Sequence, residues 1–262
     1  MSKKCAFVLV AIGLVSTAGL YGQKKADFSN FVVTGDSLTA GYQSAQLIET
    51  GQVVGYANVI AKQAGTSLNL PLIPAPGFPQ IDLVNAFGTN QFAVPNPLSM
   101  FVLRSSNSPT KDLAVPGFTV EDYVWTVPKC VPDLSNPLTA PINIMASEIL
   151  LDITNPLTGA NCTGTPLSQM NMAVNMKPST AIMWIGNNDA LFSVLFGIGP
   201  TPLSQFAPTY HLAASTMASA SKTLVIANLP DISKTAYLLS VPKLAALLHV
   251  PVGTVMSSLG LN

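Results

Sequence analysis

Charge is what this chain has least of. Only 9% of its residues are charged, against about a quarter in ordinary globular proteins. Acids and bases balance at twelve each. No stretch concentrates Lys and Arg, which argues against a nucleic-acid partner. The shortage of charge does not signal disorder, because 48% of the residues are hydrophobic and such a chain can bury a core. Histidine is scarcer still. His211 and His249 stand 38 residues apart with no Cys or His cluster around them, so no metal-ligand set is expected. Neither a Walker-type nor a dinucleotide-binding glycine pattern occurs, and no cofactor is implied.

Long apolar runs are also missing, with one exception at the N-terminus. Met1-Ser2-Lys3-Lys4 is a short positive segment, and Cys5 to Leu20 is then apolar or small throughout. Small residues follow at Gly19 and Gly22. This order is that of a secretory signal peptide over residues 1–22. Sixteen residues fall short of the ~20 that a membrane span needs. The expected location is therefore secreted or periplasmic, with no stable membrane span after cleavage. Losing Lys3 and Lys4 leaves the remaining chain with a slight excess of acids.

Only three cysteines are present, and Cys5 leaves with the signal. Cys130 and Cys162 both lie in loop-like sequence. An exported pair invites a disulfide, the competing possibility being two unrelated thiols. Asn161-Cys162-Thr163 has the form of an N-glycosylation acceptor, which matters only in a glycosylating host.

What the chain does have is proline and glycine, 21 and 18, and most of the proline falls in two stretches, 66–110 with Gly and Asn and 128–168 with Asn and Thr. These read as irregular insertions, the second interrupted by a helix from Ile144 to Asp152. Between them and beyond them come short apolar runs. Phe31-Val32-Val33, Ala181 to Ile185 and Lys222 to Ala227 read as buried strands. Leu113-Ala114-Val115 reads as a strand end or extended loop. Helical patterns cover Gly41 to Ala64, Thr119 to Trp125 with Thr119 as N-cap, Phe206 to Ala220, and Val241 to Leu248. Apolar strands alternating with helices predict an α/β domain with a parallel sheet. In such sheets function sits at the carboxyl ends of the strands.

Chemistry concentrates at those ends. Gly35-Asp36-Ser37-Leu38-Thr39-Ala40-Gly41-Tyr42 follows the first strand and precedes a helix. A serine there has its hydroxyl exposed beside helix N–H groups able to stabilise an oxyanion. Leu113-Ala114-Val115-Pro116-Gly117 and Gly186-Asn187-Asn188-Asp189 follow in order. Together these three segments resemble the first three sequence motifs of the SGNH (GDSL) esterase/lipase family, over roughly Asp27 to Tyr237. The resemblance implies a three-layer α/β/α fold of flavodoxin-like arrangement, decorated by Pro-rich insertions, in one hydrolase domain over 23–262. It implies a secreted serine ester hydrolase that acts on small-molecule or lipid esters through an acyl-enzyme intermediate. Ser37 would be the nucleophile and would also donate its N–H. Gly117 would donate a second N–H, and Asn188 its side-chain amide. Asp189 would hold its loop and Asp36 would shape the turn.

One departure stands out. The family supplies base and orienting acid from a late Asp-x-x-His motif, and none occurs here. Pro208 and Ala246 stand three residues before His211 and His249. Each histidine reads as a surface or interfacial residue, and Asp231 as a loop cap. The resemblance thus implies a domain that is incomplete at its C-terminal end and weak as an enzyme in this form. Two rivals remain. A Ser-Lys acyl enzyme would use Ser108–Lys111, Ser219–Lys222 or Ser240–Lys243, but proline inside two of these tetrads opposes the needed helix. A catalytically incompetent protein of the same fold, binding acyl or glycan groups, is favoured by the missing base.

Overall fold

The computed structural model describes residues 26–44, 46–78, 104–105, 109–136, 139–153, 155–196, 199–232 and 241–258. Residues 1–22, expected to be a signal peptide, lie outside them. The elements, in chain order, are β1 (Phe31–Gly35), α1 (Ser37–Ala40), α2 (Glu49–Gln52), α3 (Tyr56–Gln63), α4 (Val120–Trp125), α5 (Ala140–Leu151), α6 (Gln169–Asn175), β2 (Thr180–Trp184), α7 (Asn187–Phe196), α8 (Leu203–Ala220), β3 (Thr223–Ile226), α9 (Val241–Leu248) and α10 (Val252–Ser258). This is an α/β arrangement built on a small parallel sheet of order β1-β2-β3. β1 and β2 pair from Phe31–Thr180 to Gly35–Trp184. β2 and β3 pair from Thr180–Thr223 to Met183–Ile226. On the far side of β1 an extended segment runs parallel to it, with Val33 N–H donating to Lys111 O at 2.9 Å, Leu113 N–H to Val33 O at 3.0 Å and Val115 N–H to Gly35 O at 3.1 Å.

β1 is buried throughout because both its faces are covered. Alternate strand residues point to opposite faces. Val32, Ala181 and Met183 pack with Tyr123 and Val124 of α4, Ile144 of α5, Ala173 of α6 and Met217 of α8. Phe31, Val33 and Ile182 pack on the other face against Ala57 and Ala61 of α3. β3 departs from the expected buried strand. Val225 is 48% and Ile226 43% exposed, and β3 lies at the edge of the sheet among the described residues.

Local signals explain most of the helices. Thr119 caps α4 as expected and forms a full capping box with Asp122. α5 begins at Ala140, earlier than the pattern suggests, with proline in its first turn, where the missing N–H costs nothing. The single helix expected from Gly41 to Ala64 is instead two short ones. The chain folds back on itself there: a Cβ on Gly41 (φ +79°) would lie 2.8 Å from Gln52 Cα, and one on Gly51 would lie 2.7 Å from Gly41 O. The two backbones touch only because both positions are glycine. α6 and α10 carry no signal strong enough to have been expected.

Cys130 and Cys162 form a disulfide across 32 residues. It ties the two ends of the second Pro-rich stretch around α5. Among the described residues no helix is long and apolar enough to cross a membrane.

Burial of acids has a consequence for stability. Asp112, beside β1, is 2% exposed, and desolvation pushes its carboxyl up to about 7 against one opposing hydrogen bond from Ala114 N–H. Glu148 on α5 is fully buried and is pushed up to about 8 by desolvation, with Arg104 working the other way. Both folded-state values lie above the unfolded ones, so the fold binds more protons than the unfolded chain. That stability is complete below about pH 4 and is lost as pH rises through about 7 and 8. The melting temperature should fall by about 5 °C or more from pH 5 to pH 8, at roughly 2–4 °C per kcal/mol for a chain of this size. Glu148→Gln should flatten that slope, and a melting temperature that rose over the range would contradict the assignment. Reducing the disulfide should cost about 3–4 kcal/mol, read as a melting temperature lower by roughly 10 °C in dithiothreitol; an unchanged value would mean the bridge contributes nothing.

Candidate active site

The site lies where β1, the 111–115 segment and β2 end. Gly35 closes β1 with φ +153°, and a Cβ there would sit 2.2 Å from Trp184 O and 2.5 Å from Thr39 Oγ1. Only glycine lets the strand end pass so close to β2. Asp36 then caps α1, its Oδ1 accepting from Leu38 N–H at 3.0 Å. Ser37 follows as the first residue of α1, half-buried, with Leu38 41% exposed beside it. The turn ends at Gly41 in the left-handed conformation, and Tyr42 N–H donates back to Ser37 O at 3.0 Å.

Side chains stitch this turn to the two loops beside it. Asn187 Nδ2 donates to Asp36 Oδ2 at 2.7 Å. Asn188 Nδ2 donates to Phe118 O at 2.8 Å, across to the loop that carries Gly117. Asp189 Oδ2 accepts from Val120 N–H at 2.9 Å, fixing the first turn of α4. All three residues are at least nine-tenths buried. The structure therefore brings the three segments together at one end of the sheet, and Asp189 holds a loop, as its sequence position suggests.

Electrostatics follow from the same burial. Desolvation raises the Asp36 carboxyl to about 6, while the hydrogen bonds from Asn187 and Leu38 hold it down. Desolvation also raises Asp189, against its bond from Val120. Two hydrogen-bond donors are left over. Among the described residues neither Ser37 N–H nor Gly117 N–H has an acceptor. Gly117 sits at φ +87°, and a Cβ there would press within 2.8 Å of Ile142. Asn188 Nδ2 spends one of its two hydrogens on Phe118, and a second remains.

No base accompanies them. Ser37 Oγ makes no hydrogen bond among the described residues. His211 lies in the middle of α8 and His249 just past α9, both exposed, and neither bonds a carboxylate among the described residues. Asp231 is exposed in the loop after β3. The Ser-Lys alternative finds no geometry where it can be followed: Ser219 donates to Ser215 O at 2.9 Å, and Lys222 is paired with Asp27 at 3.1 Å. Ser108 and Ser240 lie outside the described residues. Among the described residues no group of three metal-binding side chains comes together.

One residue of the site was invisible in the sequence. Gln169, the first residue of α6, is fully buried. Its Oε1 accepts from Gly35 N–H at 3.1 Å, and its Nε2 donates to Gly35 O at 3.0 Å and to Leu113 O at 2.6 Å. No motif marks a glutamine 134 residues away as the clamp on a strand end. Gln169→Leu would leave Gly35 N–H and Leu113 O buried without partners, at about 1–3 kcal/mol each. Urea unfolding should show a loss of roughly 2–6 kcal/mol; a loss below about 0.5 kcal/mol, the size of an ordinary surface substitution, would mean the clamp is not structural. Compared with known proteins, the chain matches no family model, no curated protein and no solved structure.

Proposed function

We propose that this protein is a secreted serine ester hydrolase of the SGNH (GDSL) type, attacking carboxylic esters with Ser37. The observation that carries it is the set of spare donors. Ser37 N–H, Gly117 N–H and the second hydrogen of the Asn188 amide belong to three loops tied to one another by the Asp36–Asn187 and Asn188–Phe118 bonds. Three donors at one strand edge are what a tetrahedral oxyanion needs. The parallel sheet with helices on both faces agrees with the flavodoxin-like arrangement that the motifs imply.

In the proposed reaction Ser37 Oγ adds to the ester carbonyl, and the oxygen that gains charge takes the hydrogen bonds of the three donors. Solvent takes the Ser37 hydroxyl proton and returns one to the departing alkoxide, so that the alcohol leaves and an acyl-serine remains, which water then cleaves to the free acid and the serine hydroxyl. Asp36 and Asn187 are positioning residues, since they hold the nucleophile turn against the loop of Asn188. Exposed Leu38 beside the nucleophile suits an acyl or lipid ester.

A second interpretation is favoured by one observation, the absence of any base on Ser37 Oγ among the described residues. In it the same three loops bind acyl or glycan groups without turnover. The two part on a single assay. With p-nitrophenyl acetate, catalysis without a base should be slow but measurable, on the order of 10³–10⁴ over water. Ser37→Ala should abolish acylation and labelling by a fluorophosphonate, leaving at most water-driven turnover at the oxyanion donors, and Asn188→Ala should lower the wild-type rate by about 10²–10³. Acylation or labelling that survived Ser37→Ala in pure protein would refute the nucleophile. A wild-type chain that binds the ester, but is neither acylated nor labelled, would establish the binding role instead.

A further inference from the structure

The opposite end of the sheet holds a cavity of about 260 Å³. Thr110, which leads into the segment beside β1, and Met176, which closes α6 before β2, both line it, so it opens at the amino ends of the strands, away from Ser37. One wall is apolar, made by Ile149, Leu150 and Met172. The other is the ion pair of Arg104 and Asp152, Nε to Oδ1 at 3.1 Å. Arg104 is 5% exposed, and its Nη1 donates to the carbonyls of Glu148 at 3.2 Å and Ile149 at 3.4 Å.

Asp152 is the feature that asks for a ligand. It ends α5 in the left-handed conformation, φ 59° and ψ 32°. Its Oδ1 is sealed from solvent in the ion pair with Arg104, and the carboxylate has no further partner among the described residues. The side chain keeps 13% of its surface, which faces the cavity. Asp152 thus lines the cavity together with apolar side chains, with one carboxylate oxygen held by Arg104. Charge there is already balanced, because Arg104 offsets Asp152 and Glu148, one turn earlier, is pushed up to about 8 by burial and stays protonated at neutral pH. A ligand carboxylate would meet Asp152, an ammonium would meet Arg104, and either would lose hydration without a free counter-charge.

We propose that this cavity binds an uncharged short-chain aliphatic alcohol, its hydroxyl donating to Asp152 and its chain lying on Ile149, Leu150 and Met172. At roughly 30 Å³ per heavy atom, the share of a water in the liquid, about eight heavy atoms fit. The site is independent of Ser37.

The test is titration of the full chain with 1-hexanol, 1-hexylamine and hexanoate, followed by amide chemical shifts. Ser37→Ala serves as background, to remove any signal from the other end. Hexanol should bind saturably, and the amine and the carboxylate at least tenfold more weakly. Asp152→Gly keeps a residue suited to the left-handed conformation and removes the acceptor; it should weaken hexanol about tenfold. Thr165→Trp, on the exposed rim, fills the cavity without touching the core and should abolish binding. Failure of hexanol to saturate, saturation that survives Thr165→Trp, or hexanoate binding as well as hexanol would each overturn the proposal. Should Asp152→Gly not fold, Thr165→Trp decides alone.

Discussion

A single buried amide holds the end of the sheet in place. Gln169 spends its carbonyl and both its amide hydrogens on the backbones of Gly35 and Leu113. Gly35 is where β1 stops being a strand and begins the turn that presents Ser37. Its N–H has no other partner among the described residues, and a buried orphan N–H is costly. The clamp lets β1 end abruptly beside the 111–115 segment without leaving that N–H unpaired. Every functional group discussed above is placed relative to that point.

From there the placement propagates through polar side chains that are almost wholly buried. Asp36 reaches Asn187, Asn188 reaches Phe118, and Asp189 reaches Val120. In a chain with so little charge these contacts sit in low dielectric, where satisfied hydrogen bonds are strong and unsatisfied ones expensive. Asn187 Oδ1 and Asp189 Oδ1 remain buried without partners. The site therefore carries a desolvation cost that the surrounding apolar packing must offset. Rigidity of this kind suits donors that must already point at a developing charge.

The two ends of the sheet differ in character for a related reason. The carboxyl end gathers loops whose backbone donors are spare. The amino end gathers an ion pair, a protonated glutamate and an apolar wall around a cavity. α5 links that cavity to the disulfide-tied stretch that wraps around it, since Cys130 precedes α5 and Cys162 follows it. Reduction of the bridge should therefore be felt first at that end.

Much of this was legible in the sequence. Apolar runs ending in glycine or asparagine located β1 and β2, because a strand covered on both faces has no polar alternation to hide it. Thr119 announced the start of α4, since an N-cap is a local device. The candidate residues Ser37, Gly117 and Asn188 were named from the resemblance of three segments to the SGNH motifs, and the structure brings those segments together. What the sequence could not determine were the features that depend on partners far away. β3 reads as buried from its composition, yet Val225 and Ile226 are exposed and the strand lies at the edge of the sheet among the described residues. The helix expected after Gly41 fails because Gly41 and Gly51 meet backbone to backbone. Gln169, Arg104 and Asp152 carry no local signature, and only the packing of α5 and α6 against the strands makes them a clamp and a cavity wall. Local propensity and periodicity fix elements, whereas the environment of a buried polar group exists only once distant segments have closed around it.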